Sequence, residues 1–213
     1  MNGDDATFFH VDVTNDHTGI CFLLGGSSTT YGTPHRTMIA RSRIHDCGKR
    51  PSSHLDHGIY VAHAVDTTIV DNDVYDNADW GLHLYPDAQG SNIQFNVFDG
   101  NGDGAIIAGT GDLASSGNTI ARNIISNSVD GGEGRAGGYG YNLTSFWGGR
   151  VGTGNLVARN CFWNGAGGNI NSANGGFTQR DNRYGDPRFV ARAAKDFRLR
   201  RGSACTGDGP RPQ

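Results

Sequence analysis

Apolar and polar positions along this chain fall into short phrases that recur in one frame. Ile69-Val70-Asp71-Asn72-Asp73-Val74, Ile93-Gln94-Phe95-Asn96-Val97-Phe98, Ile120-Ala121-Arg122-Asn123-Ile124-Ile125 and Val157-Ala158-Arg159-Asn160-Cys161-Phe162 align without gaps, and Ile39-Ala40-Arg41-Ser42-Arg43-Ile44 fits beside them. The first and last positions are apolar in every copy. Between them runs a polar column of Ser42, Asn72, Asn96, Asn123 and Asn160. A second set of phrases, Gly58-Ile59-Tyr60-Val61, Gly81-Leu82-His83-Leu84 and Gly104-Ala105-Ile106-Ile107, repeats at a step of 23 residues, with Gly19-Ile20-Cys21-Phe22 as an earlier copy. Apolar runs this short, bounded by Gly, Asn and Asp, predict β-strands joined by turns. A fixed period of this length predicts a solenoid whose units bury their apolar faces against one another.

Stacking the copies assigns each side chain a direction. In a coil of parallel strands, equivalent residues lie about 4.8 Å apart from rung to rung. An Asn at a turn can then bond the Asn of the next rung, as in the amide ladders of stacked sheets. Alternation along each strand points Ile59, Val61, Leu82 and Leu84 inward and Tyr60 and His83 outward. The expected architecture is all-β: one domain over 1–213, with about six rungs of roughly 23 to 37 residues. Regular rungs are placed over 8–177 and a closing segment, marked by Asp186-Pro187-Arg188-Phe189 and Asp196-Phe197-Arg198-Leu199, over 178–213. Ser27 to His35, the excursion KRPSSHLD, the Gly-rich stretch Asp130 to Gly140 and SFWGGRVGTG read as loops between strands. The first rung starts by Phe8, which leaves no room for a cap over an open strand edge. The chain is therefore expected to be the C-terminal part of a longer protein that lacks its first rungs here.

Composition agrees with this pattern and narrows the chemistry. Thirty-four glycines and only two lysines (Lys49, Lys195) favour turns over helices. A net charge of −3, a pI near 6.2 and the lack of a long basic run argue against nucleic acid as a partner. No apolar run reaches membrane-span length, and the start MNGDDATFFH has no signal-peptide pattern. Four cysteines, Cys21, Cys47, Cys161 and Cys205, permit three pairings and show no CxxC spacing. An even count in a loop-rich chain fits a disulfide-permissive compartment. Cys161 with Cys205 is the preferred pair because both fall in the last turns, and four buried thiols are the alternative. Asn142-Leu143-Thr144 is a formal glycosylation sequon.

The repeated N-x-[IVF] phrases, the GIYV, GLHL and GAII strands and the closing DPRF…DFRL…GSAC segment together resemble the secreted right-handed parallel β-helix proteins of pectin-lyase-like architecture. The resemblance runs from about Phe8 to Gly207. It implies a secreted, monomeric protein that binds or acts on polysaccharide, as a lyase, a uronate epimerase or a glycoside hydrolase of that fold. A non-catalytic extracellular binding or structural module stays open beside these, since fold does not settle function. The hydrolase phrases NTD and GHG and the epimerase phrase YG-x-DPH are absent, so no catalytic role carries over residue by residue. No cofactor is expected. Ca²⁺ with Asp71, Asp73 and Asp76, beside Arg41 and Arg43, is the metal arrangement the resemblance offers, although turn and ladder chemistry accounts better for VDNDVYDN.

All eight histidines lie in the first 83 residues. Histidine is the side chain most readily poised for proton transfer near neutral pH. Tyr60 and His83 occupy equivalent outward slots one rung apart, and His57 and Trp80 precede the two glycines, with Asp103 next in that column. His57, Tyr60 and His83 are thus the catalytic candidates, with His57 or His83 as base and Tyr60 as acid. Asp56, Trp80, Tyr85, Asp103 and Tyr75 are the substrate-binding candidates, Trp80 and Tyr85 as a platform for a sugar ring. Asp56, Tyr75, Tyr85 and Asp87 are expected on nearby turns. Simple packing of stacked aromatic and imidazole rings, or His57 capping a turn, is the competing explanation.

Overall fold

A computed structural model describes residues 2–26, 32–52, 55, 57–129, 139–146 and 148–211. Nearly every ordered segment is a short strand, and three all-parallel sheets run the length of the molecule. The first sheet contains β1 (Thr7–Phe9), β4 (Met38–Ala40), β7 (Thr68–Val70), β10 (Asn92–Gln94), β13 (Thr119–Ala121), β16 (Asn155–Ala158) and β19 (Phe177–Arg180). The second contains β2 (Asp12–Val13), β5 (Arg43–His45), β8 (Asp73–Tyr75), β11 (Val97–Asp99), β14 (Ile124–Ser126), β17 (Cys161–Trp163) and β20 (Arg183–Tyr184). The third contains β3 (Phe22–Leu24), β6 (Ile59–Val65), β9 (Trp80–Gln89), β12 (Asp103–Ile107), β15 (Tyr141–Thr144) and β18 (Gly168–Asn171). One strand per sheet per turn makes the molecule a parallel β-helix. Among the described residues no helix is long and apolar enough to cross a membrane.

The register is the one the repeats imply. Ile39, Ile69, Ile93, Ile120 and Val157 pair in sequence along the first sheet. Ile44, Val74, Phe98, Ile125 and Phe162 do so along the second. These columns and Ile59, Val61, Leu82 and Leu84 are fully buried in one continuous core. Removing such side chains from water is the main favourable term of the fold, about 1.5–3 kcal/mol for each large aliphatic group.

The polar column forms as expected and extends one step further. The backbone N–H of Ser42 donates to Asn72 Oδ1 at 2.9 Å, and Asn72, Asn96, Asn123 and Asn160 each pass an amide N–H to the next carboxamide, ending on Asn182. Two more ladders occupy other corners. Asn77 donates to Asn101 at 2.8 Å, and Asn118 donates to Asn155 at 2.9 Å. The Asn77–Asn101 ladder explains the recurrent glycine of the third sheet. A Cβ on Gly58 or Gly81 would lie 2.8 Å from the amide nitrogen of Asn77 or Asn101. The residue before each ladder Asn has a positive φ, including Phe95, Arg122 and Arg159, and so does Arg41 before Ser42, types that rarely adopt it. Ladder hydrogen bonds and strand register hold those corners in place.

The C-terminal segment differs from expectation in extent and position. Parallel pairing continues through β19 and β20 to Tyr184, so the closing segment starts at 185 rather than 178. From there the chain does not cover the end of the coil. It folds back along the outer face of the second sheet as β21 (Phe189–Ala191), one 3-10 turn (Arg192–Ala194), the antiparallel β22 (Asp196–Leu199) and a strap to Arg211. Phe189, Phe197 and Cys205 pack on Val97, Ile124 and Cys161. Arg192 pairs with Asp99 at 2.7 Å, Lys195 with Asp76, and Arg211 with Asp71 at 2.7 Å. Cys161–Cys205 fastens the strap, and Cys21–Cys47 closes the excursion near the first rung. Asp71 and Asp76 are therefore strap anchors, and Asp73 faces a cleft beneath the strap.

Candidate active site

The third sheet carries the imidazole cluster on its outer face. β6 and β9 run well beyond the four-residue phrases, so Tyr85 and Asp87 are strand residues rather than turn residues. Tyr60 pairs with His83, and His83 with Ile106, in the outward column that the repeats define. The next column also forms, with the Gly58 N–H donating to Trp80 O and with Trp80 opposite Asp103.

The rings close around His83. Tyr60 stacks on it with centroids 4.9 Å apart and planes 13° from parallel, and Tyr85 stacks at 5.2 Å and 12°. Trp80 lies 4.7 Å away, tilted by 30°. His83 Nδ1 and His57 Nε2 share a 2.8 Å hydrogen bond, one of the two carrying the proton. On its far side, His57 Nδ1 lies 3.8 Å from Asp79 Oδ2, and both side chains are buried. Asp79, His57 and His83 thus line up as a buried carboxylate–imidazole–imidazole series beneath two tyrosines, hydrogen-bonded between the imidazoles and within ion-pair range at the carboxylate. Burial, and then the neighbouring His57, hold the His83 imidazole well below the usual histidine range. Tyr60 is pushed above the ordinary phenol range by burial and by Tyr85. The pair is thereby set as a neutral acceptor and a protonated donor at neutral pH.

The remaining candidates divide by location. Trp80 is fully buried beneath the cluster with Ile106, Ala108 and Tyr85, so it backs the site and offers no face to a sugar ring. Tyr60 and Tyr85 are half-buried and are the aromatic surface instead. Asp103 is fully buried and accepts the backbone N–H groups of Tyr139 at 2.9 Å and Tyr141 at 2.7 Å, a structural task in the next rung. Tyr75 is on the second sheet, away from the cluster. It stacks on His45 at 4.7 Å, bonds Arg43, lies under Lys195 and is pushed up to about 12, mainly by burial. The reason is register: Tyr75 follows the inward Val74, so it points out of a face that the strap covers. Asp56 lies outside the described residues.

Asp79 was not singled out from sequence, and Asp87 was expected on a nearby turn without a partner. Asp79 shows its role only once its burial beside His57 is known. Asp87 lies 3.4 Å from the buried His63, its register partner, and the outward alternation of the lengthened β6 and β9 is the signal that would have paired them.

Two groups give opposite acid–base behaviour. His83 stays neutral in the folded chain, whereas the unfolded chain protonates it near 6.5. Its contribution to stability is present above 6.5 and is lost as pH falls below it. Asp73, raised to about 6 by burial, contributes stability below its ordinary 3.8 that is lost as pH rises through about 6. Urea titrations between pH 4 and 7.5 are expected to separate them. His83→Gln should lessen the decline below 6.5, and Asp73→Asn should abolish the decline between about 4 and 6. Identical pH profiles in variants and parent would contradict these assignments.

The molecule is a parallel β-helix with a buried carboxylate–imidazole chain capped by tyrosines on one outer face. The chain belongs to the disaggregatase-related family, a β-helix-type domain, whose family model matches residues 87–209, more than half of its length. That match includes the strap as far as 209 and most of the second-sheet face beneath it, and it begins downstream of His57, Tyr60, His83 and Tyr85. No curated protein and no solved structure gave a match.

Proposed function

We propose that this protein acts on an acidic polysaccharide by proton transfer at His83 and Tyr60, as a lyase or uronate epimerase. The observation that carries the reading is the buried Asp79–His57–His83 chain ending between two stacked tyrosines. In the lyase form, the Tyr60 and Tyr85 rings part to admit the sugar to the buried His83, and the neutral imidazole takes the proton from the carbon beside the sugar carboxylate. The bond from the adjacent carbon to the glycosidic oxygen breaks, a carbon–carbon double bond forms, and Tyr60 donates a proton to the leaving oxygen. In the epimerase form, that carbon is reprotonated on its other face and no bond to oxygen breaks. Tyr60 and Tyr85 supply the apolar surface against which a sugar ring rests. Membership in the disaggregatase-related family, a polysaccharide-associated β-helix type of domain, supports the substrate class. The two disulfides support an extracellular, oxidising location.

Incubation with alginate, pectate and chondroitin at acid, neutral and alkaline pH tests the reading. Unsaturated-product absorbance identifies a lyase, and solvent-proton exchange into unchanged polymer identifies an epimerase. Retention on one of these polymers with neither signal would make the protein a binding module instead.

A further inference from the structure

The second outer face carries a feature that the His83 cluster does not use. Residues 185–213 contain seven of the 18 lysines and arginines but only three of the 21 acidic residues. An acidic β-helix thus wears a basic strap. Between strap and sheet lies a cleft of about 960 Å³, floored by Asp73 and Ile124 and walled by β22 on one side and 206–211 on the other. Lys195, Arg198, Arg200, Arg201 and Arg211 line it. Lys195, Arg198 and Arg211 have carboxylate partners in Asp76, Asp196 and Asp71. Arg200 reaches only the Val190 carbonyl, and Arg201 makes no ion pair among the described residues. Both are exposed at the cleft. On the floor, Asp73 Oδ1 is buried and has no hydrogen-bond partner among the described residues, and the same holds for Asp208 Oδ1.

We infer that this cleft is a second saccharide site, which holds a short carboxylated oligosaccharide through Arg200 and Arg201, with the buried Oδ1 of Asp73 meeting it from the floor. The inference takes only its choice of glycan from the function proposed above. Asp73 lies on the second sheet and Arg200 and Arg201 in the strap, and the two arginines fall within the family match that the His83 cluster precedes. The sugar carboxylates complement the two guanidinium groups, which offer paired donors to planar anions. Asp73 lies between opposing influences, Arg43 on β5 favouring its anion and Asp196 on β22 opposing it, with burial the largest effect. Lys195, Arg198, Arg211 and Asp208 complete the charged groups facing the cavity. As pH falls through about 6, Asp73 loses its charge and becomes a donor. An anionic ligand should then bind more tightly.

Calorimetric titration of the full chain with a hexauronate, a neutral hexasaccharide and a polyphosphate of equal charge tests this. The hexauronate is expected to bind at least tenfold more tightly than either control, and more tightly at pH 5.5 than at 7.5. The double variant Arg200→Ala, Arg201→Ala should lose about tenfold or more, and Asp73→Asn should bind with the pH dependence removed. Denaturation curves check that these variants fold. Equal affinity for the neutral sugar, equal affinity for polyphosphate, or a double variant that binds like the parent overturns the inference. Arg180→Ala, which removes an exposed cation on the first sheet outside both sites, should leave hexauronate binding unchanged, and loss of binding there would show that surface charge rather than the cleft holds the ligand. Absence of lyase and epimerase activity with binding retained in the cleft would remove the first proposal and leave this one standing.

Discussion

Asn123→Ala is expected to destabilise the β-helix by about 4 kcal/mol. The fully buried Asn123 donates to Asn160 Oδ1 at 3.0 Å, to Ile93 O at 3.0 Å and to Ala121 O at 3.1 Å. Its own Oδ1 accepts the backbone and side-chain N–H groups of Asn96, both at 2.9 Å. Alanine takes the acceptor from the Asn96 backbone N–H and the carboxamide donor from the Ile93 and Ala121 carbonyls. Each buried orphan costs about 1–3 kcal/mol. At the end of the column the same change should cost far less, about 1 kcal/mol, because Asn182 is only half-buried and solvent reaches its partners. Urea denaturation of the two variants measures the contrast. Equal losses at the two positions would mean that the ladder adds nothing beyond a local turn contact.

The ladder also shows where sequence reading works in this fold and where it stops. Stacking enforces identical side-chain directions in every rung, so a column visible in aligned phrases is a column in space. The inward aliphatic positions, the Asn72–Asn160 ladder and the outward pairing of Tyr60 with His83 were legible for that reason. Burial of outward residues was not. Val97, Ile124 and Cys161 follow the ladder Asn and point outward, so their apolar character was a trace of something covering the second sheet. What covers them lies far along the chain, and alternation within a strand says nothing about that. Tyr75 was misplaced for the same reason, since its surroundings are set by the strap. Trp80 was correctly put beside Asp103, yet its depth depends on the ring stack above it. Two further Asn ladders escaped notice because their copies are fewer: Asn77 with Asn101, and Asn118 with Asn155.

Tyr60→Phe is expected to reduce turnover of the responsive polymer by at least about a hundredfold while leaving the fold intact, within the range that a positioned acid or base contributes. The variant keeps the ring stacked on His83 and removes only the hydroxyl. If Tyr60 is merely packing, the rate should stay within about twofold of the parent, as for a change that removes no transition-state interaction. His83→Gln removes the acceptor and should cost a comparable factor. Loss of both together should be little worse than loss of either, because a donor and an acceptor serving one step act as a unit. Asp79 touches only His57 in this chain of groups, so it is a positioning residue. Asp79→Asn should leave KM near the parent value and lower kcat. It should also move the acidic limb of the pH–rate profile downward, because a neutral amide no longer favours a proton on the imidazole pair. An acidic limb that stays in place in Asp79→Asn, with kcat unchanged, would detach the carboxylate from the relay and leave His57 and His83 as stacked rings alone.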